Sequence, residues 1–114
     1  MTFEAGVKAQ KFLIRFYGDL TGEGKSDELE VIVDREIASG VRICVADLSR
    51  VRFMNSSGLG ILLRIFTRFR NKGGEMYLIR PPEHLNRLLV VSKLHSVFPI
   101  INSADEVPSP EGKP

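Results

Sequence analysis

The stretch VRICVADLSRVRFMNSSGLGILLRIFTRFRNKGG, residues 41–74, decides the fold of this chain. It begins with a nearly continuous apolar run, Val41–Leu48, whose β-branched bias is typical of a strand buried on both faces of a parallel sheet. After a short segment, Val51–Met54, the apolar residues follow helical spacing and predict a helix from Ser57 to about Lys72. The pair Gly73-Gly74 follows a basic last turn and is predicted to end that helix through a left-handed residue.

Upstream of this stretch, the sequence predicts a hairpin and one more helix. Lys11–Tyr17 alternates large apolar and polar residues, which predicts a strand, and Phe3–Ala9 is expected to hold its partner. The glycine-rich segment GDLTGEGKS, residues 18–26, is predicted to be a loop. A helix is then predicted over Asp27–Ala38, ended by Gly40.

Downstream, Glu75–Ile79 reads as a strand, Pro81-Pro82 as the start of a third helix and Val97–Ile101 as a final strand. The segment SADE, residues 103–106, has a capping-box pattern, but the prolines that follow limit it to one helical turn. Strands that alternate with helices predict an α/β fold: a mixed β-sheet with parallel central strands covered by helices, and a final helix that is short or absent. We expect one domain over residues 1–107 and a disordered tail over 108–114.

Composition argues against several classes of function but does not identify one. The chain has 114 residues, of which 43% are hydrophobic and 26% charged, as in an ordinary water-soluble domain. A net charge of +2 is too small to favour nucleic acid as a partner. Cys44 is the single cysteine, so no disulfide or cysteine-based metal site is expected within one chain. With neither a signal peptide nor an apolar run long enough to span a bilayer, the expected location is the cytoplasm, without membrane insertion.

Two patterns that imitate enzyme motifs are weak. The loop ending Gly24-Lys25-Ser26 resembles a phosphate-binding loop, but Gly18 stands one residue too far upstream and Asp19 occupies a required glycine position. A nucleotide-binding protein therefore stays a distant alternative. The two histidines, His84 and His95, have no cysteine or acidic cluster at ligand spacing. We predict no catalysis, no cofactor and no metal.

The serine pair at the start of the middle helix admits two interpretations. Asn55 is a strong N-cap residue, and Ser56 and Ser57 suit the cap or the first turn, so capping alone explains them. The same helix end also tolerates a phosphate, because its free N–H groups and the positive end of the helix dipole favour negative charge. Gly58 and Gly60 would then leave the backbone and the hydroxyl accessible to another protein.

The middle helix carries more apolar surface than a core-facing helix needs. Its apolar residues cover an arc of about 200°, whereas a little over 100° suffices. The surplus, Ile61 and Ile65, is predicted either to rest against a neighbouring helix or to form an apolar patch beside Ser56. Arg64, Arg68 and Lys72 follow at four-residue spacing and form either a solvated face or a contact for an acidic partner.

Residues 45–79 resemble the central signature of STAS domains, in particular of bacterial anti-sigma-factor antagonists. That family has a strand ending in Asp-Leu-Ser, then Asp-Ser-Ser-Gly-Leu-Gly before a helix closed by two glycines. The matching residues here are Asp47-Leu48-Ser49, Asn55-Ser56-Ser57-Gly58-Leu59-Gly60 and Gly73-Gly74. The similarity extends over about Lys11 to Val107.

This resemblance implies a non-catalytic switch made of protein contacts. An antagonist of this family binds an anti-sigma factor that is also a serine kinase of the histidine-kinase-like ATPase type. The kinase phosphorylates the first serine of the pair, here Ser56, and a phosphatase restores the complex. The partner-binding surface implied around that serine consists of Asp19, Thr21, Asn55, Ser57, Gly58, Ile61 and Arg64.

The chain departs from the family pattern at two positions. Asn55 and Thr21 stand where the family usually has aspartate, so two carboxylates are missing near the expected phosphorylation site. An alternative function follows from these departures: a STAS module that acts as a constitutive scaffold, or as the cytoplasmic subunit of a lipid-transport or other membrane complex, without phosphorylation. A homodimer is left open.

Overall fold

In the computed structural model, which describes residues 2–21 and 26–107, the chain forms strands interleaved with helices. The strands are β1 (Thr2–Lys8), β2 (Lys11–Leu20), β3 (Ile43–Asp47), β4 (Val51–Met54), β5 (Glu75–Ile79) and β6 (Ile100–Ile101). The helices are α1 (Ser26–Ala38), α2 (Ser56–Arg70) and α3 (Glu83–Val91). Single 3₁₀ turns follow at Leu94–Ser96 and Ala104–Glu106.

The sheet has the strand order β1-β2-β3-β5-β6. β1 and β2 form an antiparallel hairpin, and each later pairing is parallel. β2 is long enough to pair twice: its first half runs beside β3, and after a bulge between Gly18 and Asp19 its last residues run beside β4. The predicted mixed sheet with parallel central strands is confirmed.

The helices cover one face of the sheet. Alternate residues of β2, namely Phe12, Ile14 and Phe16, are buried in the same core cluster as Leu62 of α2 and Leu85 of α3. Cys44 and Ala46 of β3 also point into this cluster, and Cys44 is fully buried.

The opposite face carries a smaller cluster of Val45, Ile79 and Val107. Lys11, buried at the start of β2, donates hydrogen bonds from Nζ to the carbonyl oxygens of Ala104 at 3.2 Å and Val107 at 2.9 Å. The last 3₁₀ turn is therefore held against this face by a side chain from the first half of the chain.

Several predicted boundaries need correction. β3 covers Ile43–Asp47 and not the whole of Val41–Leu48. β2 continues through Gly18–Leu20, which we predicted to be loop, because β4 pairs with it there. Val51–Met54, predicted only as a connecting segment, is a strand for the same reason. α2 begins at Ser56 and ends at Arg70, after which Gly73 is left-handed as expected, with φ 80°. The final strand is reduced to Ile100–Ile101.

The final helix is short, as predicted, because the segment after Ser103 forms one 3₁₀ turn. Residues 22–25 of the predicted loop, which include part of the weak phosphate-loop pattern, and the predicted tail at 108–114 lie outside the described residues.

Candidate functional site

Parallel pairing brings the ends of β2 and β4 to the same edge of the sheet. Leu20 lies opposite Met54 in the register, so Thr21 and Asn55, the next residues of each strand, emerge together. Asn55 leads directly into α2. Positions distant in sequence, 19–21 and 55–57, are thereby gathered at one end of the domain.

Asn55 alone caps α2. Its backbone is extended, with φ −110° and ψ −173°, and its side-chain oxygen accepts the N–H of Gly58 at 2.9 Å. Its carbonyl oxygen accepts the first intrahelical bond, from the N–H of Leu59 at 3.0 Å. The capping function predicted for this segment therefore falls to Asn55, and neither serine is needed for it.

Ser56 and Ser57 are the first two residues of α2, and both are exposed. Within residues 2–21 and 26–107, neither hydroxyl has a hydrogen-bond partner. The first turn of α2 contains no acidic residue, so no carboxylate there offsets the positive end of the helix dipole. A hydroxyl presented in this way is accessible to another protein and stands where negative charge is favoured.

Gly58 does not have the role that the sequence suggested. It is buried, and a Cβ added at this position would overlap the carbonyl oxygen of Leu20 and lie 2.7 Å from its carbonyl carbon. Glycine is required because the first turn of α2 packs directly on the backbone at the end of β2. Gly58 thus sets the position of the serine pair and does not itself face a partner.

Asp19 is neutralised by a neighbour. Arg52 of β4 reaches across to β2 and donates from Nε and Nη2 to the two carboxylate oxygens of Asp19, both at 2.9 Å. The hydrogen bond from Arg52 lowers the pKa of Asp19 below its usual value. Since Thr21 and Asn55 are uncharged and Asp19 is paired with Arg52, positions 19–21 and 55–57 hold no unpaired carboxylate.

Sequence reasoning missed an exposed aromatic pair that joins β4, the strand leading to Asn55, to α3. The ring of Phe53, which is 48% exposed, stacks on the ring of His84 from α3, with centroids 6.4 Å apart and planes 9° apart. Val51 is buried, so a simple two-residue alternation places Phe53 in the core. The short strand instead buries its first and last residues, and no pattern in the sequence signals this.

The structure decides between the two interpretations of the apolar surplus on α2, which were packing inside the domain and an exposed patch beside Ser56. Ile61 and Ile65 are buried, which confirms packing inside the domain and excludes the apolar patch beside Ser56. Ile61 is therefore not available to a partner. Arg64 and Arg68 are not a free basic face, because they form ion pairs with α1.

Those ion pairs link the two helices. Nε of Arg64 lies 2.8 Å from Glu30, and Arg68 contacts both Glu30, at 3.0 Å, and Asp34, at 2.9 Å. The Arg64 side chain is still about half exposed. Lys72 is exposed beyond the end of the helix.

Asp47, at the end of β3, is held by a separate set of bonds. Its carboxylate accepts from Ser49 N at 2.9 Å, Ser49 Oγ at 2.7 Å and Arg15 Nε at 3.0 Å. Partial burial raises the pKa of Asp47, but the hydrogen bonds from Ser49 and Arg15 outweigh it, and the pKa lies below its ordinary value. This aspartate stabilises the turn between β3 and β4. The turn leads into β4, the strand that ends just before Asn55.

The described ranges contain neither a metal-binding cluster nor a membrane-spanning helix. In residues 2–21 and 26–107, no group of at least three His, Cys, Asp or Glu side chains is arranged to hold a metal ion. No helix in those ranges has the length and apolar character needed to cross a membrane.

Comparison with known proteins agrees with the fold and identifies the family. The family model described as the STAS domain matches residues 5–107. The anti-sigma F factor antagonist of Paenibacillus polymyxa is 35% identical over 96 residues, which cover 80% of this chain and 78% of the relative.

Solved structures share the architecture at lower identity. SpoIIAA from Bacillus, in its phosphorylated form, superposes with a TM-score of 0.73 at 20% identity, covering 92% of this chain and 94% of that one. The protein TM1081 of Thermotoga maritima superposes with a TM-score of 0.80 at 21% identity, covering 93% and 85% of the two chains. With the strand order, the capped serine pair and the sequence match together, this chain belongs to the STAS domain family and, within it, to the anti-sigma-factor antagonists.

Proposed function

We propose that this protein is a cytoplasmic anti-sigma-factor antagonist that binds an anti-sigma factor through the surface around the start of α2, and that phosphorylation of Ser56 switches the binding off. The observation that carries the proposal is the exposed Ser56 hydroxyl, which lies in the first turn of a helix already capped by Asn55. The name of the Paenibacillus polymyxa relative supports the same function.

A phosphate on Ser56 would disturb the partner more than the domain. The serine is exposed, and the N–H groups at the start of α2 favour negative charge, so the folded domain tolerates the modification. Phosphorylation adds about −1.5 to −2 charges at neutral pH. Placed in an interface without a matching cation, such a charge costs several kcal/mol, and every 1.4 kcal/mol changes the dissociation constant about tenfold.

Asn55 and Thr21 change the electrostatics of this switch but leave it competent. Asn55 caps the helix as an aspartate would, so the serine keeps its position. Asp19 is already paired with Arg52. A phosphate at Ser56 therefore meets less repulsion from its own domain than it would beside the usual aspartates, and the kinase is expected to supply the base that accepts the serine proton.

The docking surface follows from accessibility. Thr21, Asn55 and Ser57 surround Ser56 at the same edge of the sheet, and we add Phe53, whose exposed ring offers the apolar contact that the buried Ile61 cannot. Aromatic side chains, phenylalanine among them, are enriched at protein interfaces relative to the rest of the surface. Asp19 and Arg64 lie in ion pairs of their own and would contribute at the margin.

The chain itself would catalyse nothing in this cycle. A kinase-type anti-sigma factor, of the histidine-kinase-like ATPase class, transfers the phosphoryl group from ATP to Ser56, and a phosphatase removes it. The protein would act only by occupying or releasing the kinase.

Intact-mass spectrometry after incubation with each kinase-type anti-sigma factor of the source organism and ATP tests the proposal. We expect the mass to rise by one phosphoryl group in the wild-type protein and in Ser57→Ala, which is the matched control, but not in Ser56→Ala. Ser56→Ala should bind the kinase persistently, and Ser56→Asp should bind it more weakly. Binding without mass gain would point to a constitutive scaffold, and the absence of binding to every such kinase would refute the proposal.

A further inference from the structure

The hairpin leaves one edge of the sheet unpaired. β1 forms its pairs with β2 on one side, and in residues 2–21 and 26–107 no other strand lies along its outer edge. All its residues except Phe3 are exposed. An exposed edge of seven residues is a template on which another strand can pair.

The turn of the hairpin determines which backbone groups face outward. Ala9 and Gln10 both have positive φ, 54° and 65°, as in a two-residue type I′ turn, so Lys8 and Lys11 form the hydrogen-bonded pair that closes it. Since hydrogen-bonded and non-bonded pairs alternate, Glu4 and Gly6 also bond to β2. The N–H and C=O groups of Phe3, Ala5 and Val7 therefore point away from the sheet.

Glu4 and Lys8 lie on the same face of β1, and both are exposed. Neither forms an ion pair within the part of the chain that the structure describes; Glu4 accepts a hydrogen bond from the hydroxyl of Tyr17 at 2.9 Å. Lys8 lies opposite Lys11 across the hairpin, and like charges directly opposite each other are unfavourable. Glu4 lies opposite Arg15, but the Nε of Arg15 is bonded to Asp47 at 3.0 Å. Both Glu4 and Lys8 thus have a charge that a partner strand could complement.

We propose that β1 pairs antiparallel with β1 of a second copy, with Gly6 opposite Gly6 on a two-fold axis. In this register Glu4 of each copy faces Lys8 of the other, which gives two complementary ion pairs. Ala5 faces Val7 twice, so the half-exposed Val7 side chain is covered, and these pairs use the backbone groups that point outward.

Neighbouring symmetric registers lack this complementarity. Centring the axis on Ala5 places Glu4 opposite Gly6 and Lys8 opposite Thr2. Centring it on Val7 places Lys8 opposite Gly6 and Glu4 opposite Gln10. Charge complementarity within β1 therefore selects the register centred on Gly6, and it selects a second copy of this chain as the occupant.

Sedimentation velocity over a wide range of concentration at low ionic strength tests this inference, which does not depend on the proposed function. The wild-type chain is expected to form a reversible dimer. Glu4→Lys and Lys8→Glu should each weaken it at least about tenfold, because both ion pairs become repulsions. Lys72→Glu is the control for Lys8→Glu, since it lowers the net charge by the same amount at an exposed position away from β1.

Two further samples make the result specific to the register. An equimolar mixture of Glu4→Lys and Lys8→Glu should form a heterodimer, because each cross-strand pair again joins opposite charges. The double variant should dimerise like the wild type. Ala5→Pro, which removes an outward N–H, should remain folded and monomeric, because proline is tolerated on an edge strand where the N–H faces solvent.

A monomer at every concentration would overturn the inference and assign Glu4 and Lys8 to protection of the edge. Single variants that dimerise as well as the wild type, or a mixture that gains nothing, would equally overturn it. Urea denaturation of each variant establishes that the domain is folded before its association is compared.

Discussion

The backbone of Gly58 packs against the carbonyl group of Leu20 with no room for a side chain between them. This contact joins the first turn of α2 to the end of β2, and it fixes the position of Ser56 relative to Thr21. The distance between a helix and a strand is here set by the absence of one carbon atom.

Gly58→Ala is expected to destabilise the domain by roughly 2 kcal/mol or more, because the added Cβ meets backbone atoms that cannot rotate away. Gly60→Ala is the matched control. Its Cβ meets only the Nη1 of Arg64 at 3.9 Å, so the change should stabilise the domain by about 0.5–1 kcal/mol through helix propensity. Urea denaturation of both variants measures the difference, and equal stability would contradict the contact.

Asn55→Ala should lower the free energy of unfolding by about 1 kcal/mol, because the N–H of Gly58 loses its acceptor. Asn55→Asp should leave the stability within a few tenths of a kcal/mol, since aspartate caps a helix equally well. Thermal denaturation at neutral pH compares the two. A loss of similar size in both variants would show that the amide has a role beyond capping.

Asp47→Asn should lower the free energy of unfolding at neutral pH by about 1–2 kcal/mol, towards the low end for hydrogen bonds to a charged group because these bonds are exposed to solvent. Because the pKa of Asp47 in the folded chain lies below its ordinary value, the ionised carboxylate stabilises the fold at neutral pH. That contribution is lost as the pH falls below about 4 and the carboxyl takes up a proton. Denaturation across this range should bring the two stability curves together, and a gap that persists in acid would contradict the assignment.

Lys11→Met should release the last 3₁₀ turn, because the carbonyl oxygens of Ala104 and Val107 lose their donor. We expect a loss of about 1–3 kcal/mol and faster hydrogen exchange at residues 104–107. Lys72→Met, at an exposed position, is the control and should leave both measurements unchanged. Unaltered exchange in Lys11→Met would mean that Val107 alone holds the turn.

Elements whose ends are marked by glycine, proline or capping residues were predictable from the sequence. β5 has the predicted bounds because Gly73-Gly74 precede it and Pro81-Pro82 follow it. Asn55 was recognisable as a cap from its residue type and its place before the apolar helical pattern.

The remaining features depend on partners distant in the chain. Gly18–Leu20 looks like a loop by its composition and becomes a strand only because β4 pairs with it. Ile61 gave the right signal, an apolar surplus, but whether a helix or a partner covers that surplus cannot be read from α2 alone. Arg64 appeared to be a surface charge because its partner, Glu30, lies on another helix.

The sealed position of Cys44 bears on how this protein can be handled. The thiol is fully buried, and burial raises its pKa, so the reactive thiolate hardly forms in the folded chain. Since this is the only sulfhydryl, native samples should resist alkylating reagents and should not become cross-linked through sulfur in air. The rate at which iodoacetamide labels the protein then measures how often the interior opens, and any pairing of copies in the native state must be non-covalent.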